Sequence, residues 1–215
     1  VLAAVVVMAD ACAVRRASRE LLSDLHNGEG LDPDTAWGRY ESIRRWAKMP
    51  VFASDARAAV TDSLVAAADR VLTDFRNDAP AVRATSWEAS RRWLQRALLL
   101  DNDRRIRARL RSVEAHLLRI EADARRNQAQ RTALLRQAVQ RFEESARLDP
   151  ASPDPYVGLA RIYSVGLIDF DLAARALADA DRRGQPLGRR GDAQLGDAIR
   201  RRAQRLRQSL SPGRG

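Results

Sequence analysis

The chain is a succession of apolar stripes spaced by three and four residues, separated by short polar breaks or breaks containing proline and glycine. That spacing keeps one face of a 3.6-residue turn apolar, so each stripe predicts an amphipathic helix. The first is expected from Val1 to about Leu25, before the break HNGEG at 26–30. Asp32 or Asp34 is placed to cap a second, through Trp37, Tyr40, Ile43, Trp46 and Ala47, which Pro50 stops. Ser54 or Asp55 opens a long third helix with Ala56, Val60, Leu64, Ala68, Leu72 and Phe75 on one side. A fourth is expected from Ser86, with Trp87, Ser90, Leu94, Ala97 and Leu98 as its stripe and Trp93 at the flank. Asp101-Asn102-Asp103 caps the next, marked by Ile106, Leu110, Val113, Leu117 and Ile120. The polar run at 124–130 either interrupts this helix or lies within it. Leu134, Leu135, Ala138, Val139, Phe142, Ala146 and Leu148 then form a further stripe.

After Pro153 and Pro155 come two shorter stripes, the second ending at Gly184, a glycine suited to close a helix. The last helix is expected from Arg190 or Asp192 through Leu195, Gly196, Ile199, Ala203, Leu206 and Leu210, with a frayed tail at 211–215. No segment alternates apolar and polar residues as a strand would. The expected fold is all-α, with eight or nine helices and no sheet, built of stacked antiparallel hairpins. Three parts are expected before the tail: 1–30, an apolar helix and turn; 31–131, irregular hairpins; and 132–210, a more regular array.

The regular array shows a repeat. Tyr156, then Leu159-Ala160, then Tyr163 occupy a first helix, with Gly166 in the turn and Ala173, Leu177 and Ala180 on the second. Before it, Ala138, Phe142 and Pro150 have the spacing of a preceding second helix, and after it Leu195-Gly196 and Ile199 that of a following first helix. This spacing resembles the tetratricopeptide repeat, a helical hairpin of about 34 residues. The resemblance is clearest over 132–210 and fainter over 31–131, where LDPDTAWGRYESI at 31–43 is similar to a repeat start with Trp37 in the large position. It implies an α-solenoid in which small residues, Ala160 and Gly196, sit at helix crossings. It also implies a partner-binding groove lined by first helices, here Asp154, Val157, Arg161, Ser164, Arg190, Gln194, Asp197 and Arg201. The variety that grips an acidic tail needs Lys and Asn where this chain has Val157 and Gly158, so that partner is not expected.

Composition adds charge. The net charge is +10 over 215 residues, and residues 182–215 carry ten arginines against Asp192 and Asp197. Such an end either forms a solvated helix face or meets nucleic acid, anionic lipid or an acidic protein. Lys48 is the only lysine, a bias that fits a GC-rich, bacterial genome. Cys12 is the only cysteine, so no intrachain disulfide is expected. Residues 1–14 are apolar apart from Asp10, and Arg15 and Arg16 follow. The run is shorter than the roughly 20 residues of a membrane span and lacks a basic leader. It reads as the end of an anchor, a poor signal, or a buried first helix.

Catalytic chemistry is sparse. His26 and His116 have no second ligand at metal spacing, and His116 is expected at the edge of a packed stripe. There is no Gly-x-Ser-x-Gly elbow, and the glycine clusters lack the lysine of a phosphate loop. Trp46 and Trp93 stand beside arginine pairs, either as a basic-aromatic surface or as half-buried rings with arginines lying across them. No metal, cofactor or catalytic residue is expected. The leading expectation is a non-catalytic scaffold for a protein or peptide partner. The alternatives are a structural subunit of a bacterial membrane or envelope complex held through 1–14, and binding of nucleic acid or an anionic surface through the C-terminal helix. The expected location is the bacterial envelope or its membrane, with the cytoplasm as the alternative.

Overall fold

The computed structural model describes residues 2–26, 31–46, 54–77, 82–184, 196–198, 200–202 and 204–205, with side chains in the first helix from Cys12 onward. Among the described residues eight α-helices have both ends defined, in order: α1 (Leu2–His26), α2 (Pro33–Trp46), α3 (Ser54–Arg76), α4 (Ala84–Leu100), α5 (Arg104–Asp123), α6 (Gln128–Leu148), α7 (Asp154–Arg161) and α8 (Phe170–Asp181); the described residues of 196–205 are helical as well. A π-helical turn, Ile162–Gly166, extends α7. No strand occurs among the described residues, so the all-α expectation holds.

Local chemistry sets the helix starts. The Asp32 carboxylate accepts from the Thr35 N–H at 3.0 Å, so Asp32 rather than Asp34 caps α2. Asp103, Asn127 and Asp169 cap α5, α6 and α8 in the same way. The expected start of α4 at Ser86 is corrected: the helix begins at Ala84, and Arg83 precedes it without a side-chain cap. The polar run does interrupt, since α5 ends at Asp123 and α6 starts at Gln128. A boundary between 131 and 132 therefore falls inside α6. The π turn was not legible in the sequence; it closes with the Leu167 N–H on the Ile162 carbonyl at 2.9 Å. Gly184 lies beyond the end of α8 at φ 74°, a backbone that favours glycine.

Helices consecutive in sequence pack on one another, most extensively α5 with α6 and α3 with α4. Because their connections are short, such neighbours run back along each other. Two apolar clusters result. One joins α1 to α5 and includes Leu21, Tyr40, Leu64, Trp87 and Leu94. The other joins α5 to α8 around Leu135, Phe142, Ile162 and Leu177. Helix α5 serves both, which explains why it buries a wider arc than its stripe: Ala108, Ser112, Ala115 and His116 are buried beside Ile106 and Val113.

His116 corrects an expectation. It does not edge the stripe but sits at the centre, stacked on Trp87 at 4.1 Å and flanked by Phe75 at 4.3 Å and Phe142 at 5.0 Å. Ala138, Phe142, Leu159, Ala160, Ala173, Leu177 and Ala180 are buried as their spacing demands, and Tyr156 and Tyr163 pack at the margin. Pro150 instead is exposed just past α6, and its carbonyl accepts from Arg183 Nε at 2.7 Å. A close contact also lies at Gly158. Among the described residues a Cβ on Gly196 would approach only Arg200, whereas a Cβ on Gly158 would fall 2.5 and 2.7 Å from two ring carbons of Phe142. Gly158, expected on the groove, is a point of close approach between α6 and α7. Leu195 and Ile199 lie outside the residues whose packing is described.

Candidate functional site

A polar cleft lies where α3, α5 and the connection from α6 to α7 meet. Its volume is about 520 Å³, within the range of pockets that hold small ligands or side chains, roughly 300–1,000 Å³. Helix α3 supplies Asp69, Thr73 and Arg76, helix α5 supplies Arg105, Arg109 and Ser112, the connection supplies Asp149 and Ser152, and the first residue of α7 supplies Asp154. The spacing explains the convergence. Asp69, Thr73 and Arg76 stand four and three residues apart, as do Arg105, Arg109 and Ser112, so each set occupies one helix face.

The charges pair across elements. Arg109 Nε contacts Asp69 Oδ1 at 2.6 Å, tying α5 to α3. Arg76 Nε lies 3.1 Å from Asp154 Oδ1, tying α3 to α7, with the two side chains 24% and 16% exposed. This second pair is imperfect: Asp154 Oδ1 has no hydrogen bond of acceptable geometry. Burial pushes the Asp154 carboxyl above its ordinary value, and the like charge of Asp69 adds to this. The charges of Arg76 and Arg109 and a bond from Ser152 oppose the rise without cancelling it. Beneath the charges, Ser145 Oγ–H donates to the Ala108 carbonyl at 2.8 Å and meets Ser112 Oγ at 2.9 Å. Arg105 is exposed at the cleft and pairs with no carboxylate among the described residues, and the Asp149 carboxylate also lacks a side-chain partner there.

Of the eight residues expected to line a groove, six are described. Asp154 is in this cleft. Val157 and Ser164 are buried, so they offer no surface to a partner. Their places on α7 face the neighbouring helices because α7 is short and packs on α5, α6 and α8 at once. Arg161 is half-buried. Asp197 pairs with Arg200, and Arg201 lies 5.8 Å from the Phe170 ring and reaches the Ser164 carbonyl. Arg190 and Gln194 lie outside the described residues. Beside Asp154 the cleft is lined by residues of α3 and α5 that the repeat pattern did not single out. The signal that would have found them is the i, i+4 pairing of charged residues on the same faces as the apolar stripes.

The tryptophans divide. Trp87 is buried, and Trp93 Nε1–H donates to Asp34 at 3.3 Å, while Arg96 pairs with the same carboxylate. Burial alone would raise Asp34, but the bonds from Arg96 and Trp93 and the charges of Arg96 and Arg92 outweigh it and hold the carboxyl below its ordinary value. Trp46 is 76% exposed and borders a second, apolar cleft of about 710 Å³ between α1 and α2. Among the described residues no group of metal-ligating side chains occurs, and no helix is long and apolar enough to cross a membrane. Neither a known protein family, nor a curated protein, nor a solved structure gives a significant match to this chain.

Proposed function

We propose that the chain is a non-catalytic, tetratricopeptide-like scaffold that binds a protein or peptide partner. Three of its hairpins, α3–α4, α5–α6 and α7–α8, stack so that their first helices share one face, and the polar cleft is the open part of that face. The observation that carries the reading is the cleft's composition. Charged groups from two non-adjacent helices and a connecting segment converge on a cavity that packing alone does not fill. A hairpin array buries its apolar faces by stacking, which leaves such a face free for recognition. The residues there offer donors, acceptors and both signs of charge but no aligned nucleophile and base, which favours recognition over catalysis.

The test is selective capture. Proteins retained by the intact chain are expected to be retained by an Arg136→Glu variant, altered at an exposed site on α6, and lost with Arg105→Glu. Equal retention by both variants would place the partner elsewhere. Association with a bacterial membrane or envelope complex remains the second reading, favoured by the apolar start of α1 and by the cleft beside Trp46. Detergent-dependent behaviour of the chain is its signature.

A further inference from the structure

The pairing of Arg76 with Asp154 raises the question of why an interior carboxylate should sit on an arginine it contacts so poorly. Asp154 reaches Arg76 across the cleft, at 3.1 Å, without a well-formed hydrogen bond. Around it stand Asp69 from α3, Arg105 and Arg109 from α5, and Asp149 and Ser152 from the α6–α7 connection. Two of the three guanidinium groups, Arg76 and Arg109, are held by internal carboxylates, and the third, Arg105, is not. An arginine fork offers five N–H donors, and Arg109 commits only Nε to Asp69. The cleft therefore has spare donors aimed at a space the size of one or two side chains.

Resting on the scaffold reading above, we propose that this cleft receives a carboxylate of an acidic partner segment, and that Asp154 is the internal surrogate which that carboxylate displaces from Arg76. Once it loses Arg76, a buried Asp154 has only the weaker influence of Arg109 to set against its burial and the like charge of Asp69. Its cheaper state is then the neutral acid, formed by taking a proton from solvent. That proton leaves the cleft with one more positive charge than negative, which favours the incoming acid. Asp149 works against a wholly acidic chain and selects for a segment with a basic or amide neighbour next to the carboxylate.

The experiment titrates a peptide whose glutamates alternate with glutamine and lysine into the intact chain by calorimetry at pH 6, in two buffers of different ionisation enthalpy. The peptide's carboxylates stay charged at that pH. The native chain is expected to bind with net proton uptake. Asp154→Asn is expected to bind roughly tenfold more tightly and without uptake, as one surrogate charge no longer has to be displaced. Asp154→Ala is expected to give the same result, since it too removes the charge that must be displaced. Arg105→Glu is expected to abolish binding and Arg136→Glu to leave it unchanged. The proposal is overturned by proton uptake that persists in both Asp154 variants, by equal weakening from Arg105→Glu and Arg136→Glu, or by no binding to native chain and Asp154 variants whose helical spectra are intact. If the natural partner is captured through Arg105 yet the peptide does not compete with it, the scaffold reading stands and the surrogate falls.

Discussion

Replacing Gly158 by Ala tests the packing on which the rest depends. In an open helix that change is worth a gain of about 1 kcal/mol, because alanine loses less freedom on folding. In α7 the added methyl would fall 2.5 and 2.7 Å from two ring carbons of Phe142. That ring has no free space to retreat into, being fully buried with His116 packed against it at 5.0 Å. Overpacking of this kind costs about 1–3 kcal/mol, so a middle value leaves a net loss of about 1 kcal/mol. Gly38 in α2 supplies the control, since nothing lies within 4 Å of its added methyl. Urea unfolding followed by helical circular dichroism should therefore show Gly158→Ala destabilised and Gly38→Ala stabilised by about 1 kcal/mol. Adding Phe142→Leu should relieve the clash, with a coupling of about 0.5–3 kcal/mol between the two sites. A stabilised Gly158→Ala protein would refute the close approach of α6 and α7.

Further outcomes follow from the polar groups and the backbone. Ser145→Ala should cost about 1–3 kcal/mol by stranding Ser112, while Ser112→Ala with Ser145→Ala should cost clearly less, read by the same denaturation. Asp154 has a raised folded pKa, so its favourable contribution is full below the unfolded value and is lost as pH rises through the folded one. Asp154→Asn should accordingly gain stability relative to the native chain between pH 4 and pH 7; a constant difference would sink that reading. Asp34 has the opposite sign: its contribution is present at neutral pH and lost as pH falls through its lowered value, so Asp34→Asn should hurt at pH 7 and matter little in strong acid. Ile168 holds φ 58° at an exposed turn. Ile168→Gly should raise thermal stability by relieving a strain of about 1–2 kcal/mol.

The helices were legible because apolar periodicity and capping residues are local. Asp103 and the break after Asp123 follow from residues within one turn of the ends they make. The stripe of α5 was read too narrowly, since a single apolar arc cannot reveal that a helix is covered from two sides. His116 illustrates this: a polar ring reads as marginal until Phe75, Trp87 and Phe142, far apart in sequence, close on it. The candidate site was less legible still. Asp154 was identified from its repeat position, but Asp69, Arg76, Arg105 and Arg109 become a site only through the meeting of α3 with α5 and α7. Val157 and Ser164 were misplaced because repeat spacing assigns a face but not how deeply a short helix sinks between its neighbours.

The most direct measurement places a photo-crosslinking residue at Arg105 in the cleft and, separately, at Arg136 on α6, in otherwise native chains exposed to their cellular contents. Binding through the face of α3, α5 and α7 predicts a discrete adduct from position 105 and none from 136. An adduct from 136 alone, or from neither position, would contradict it.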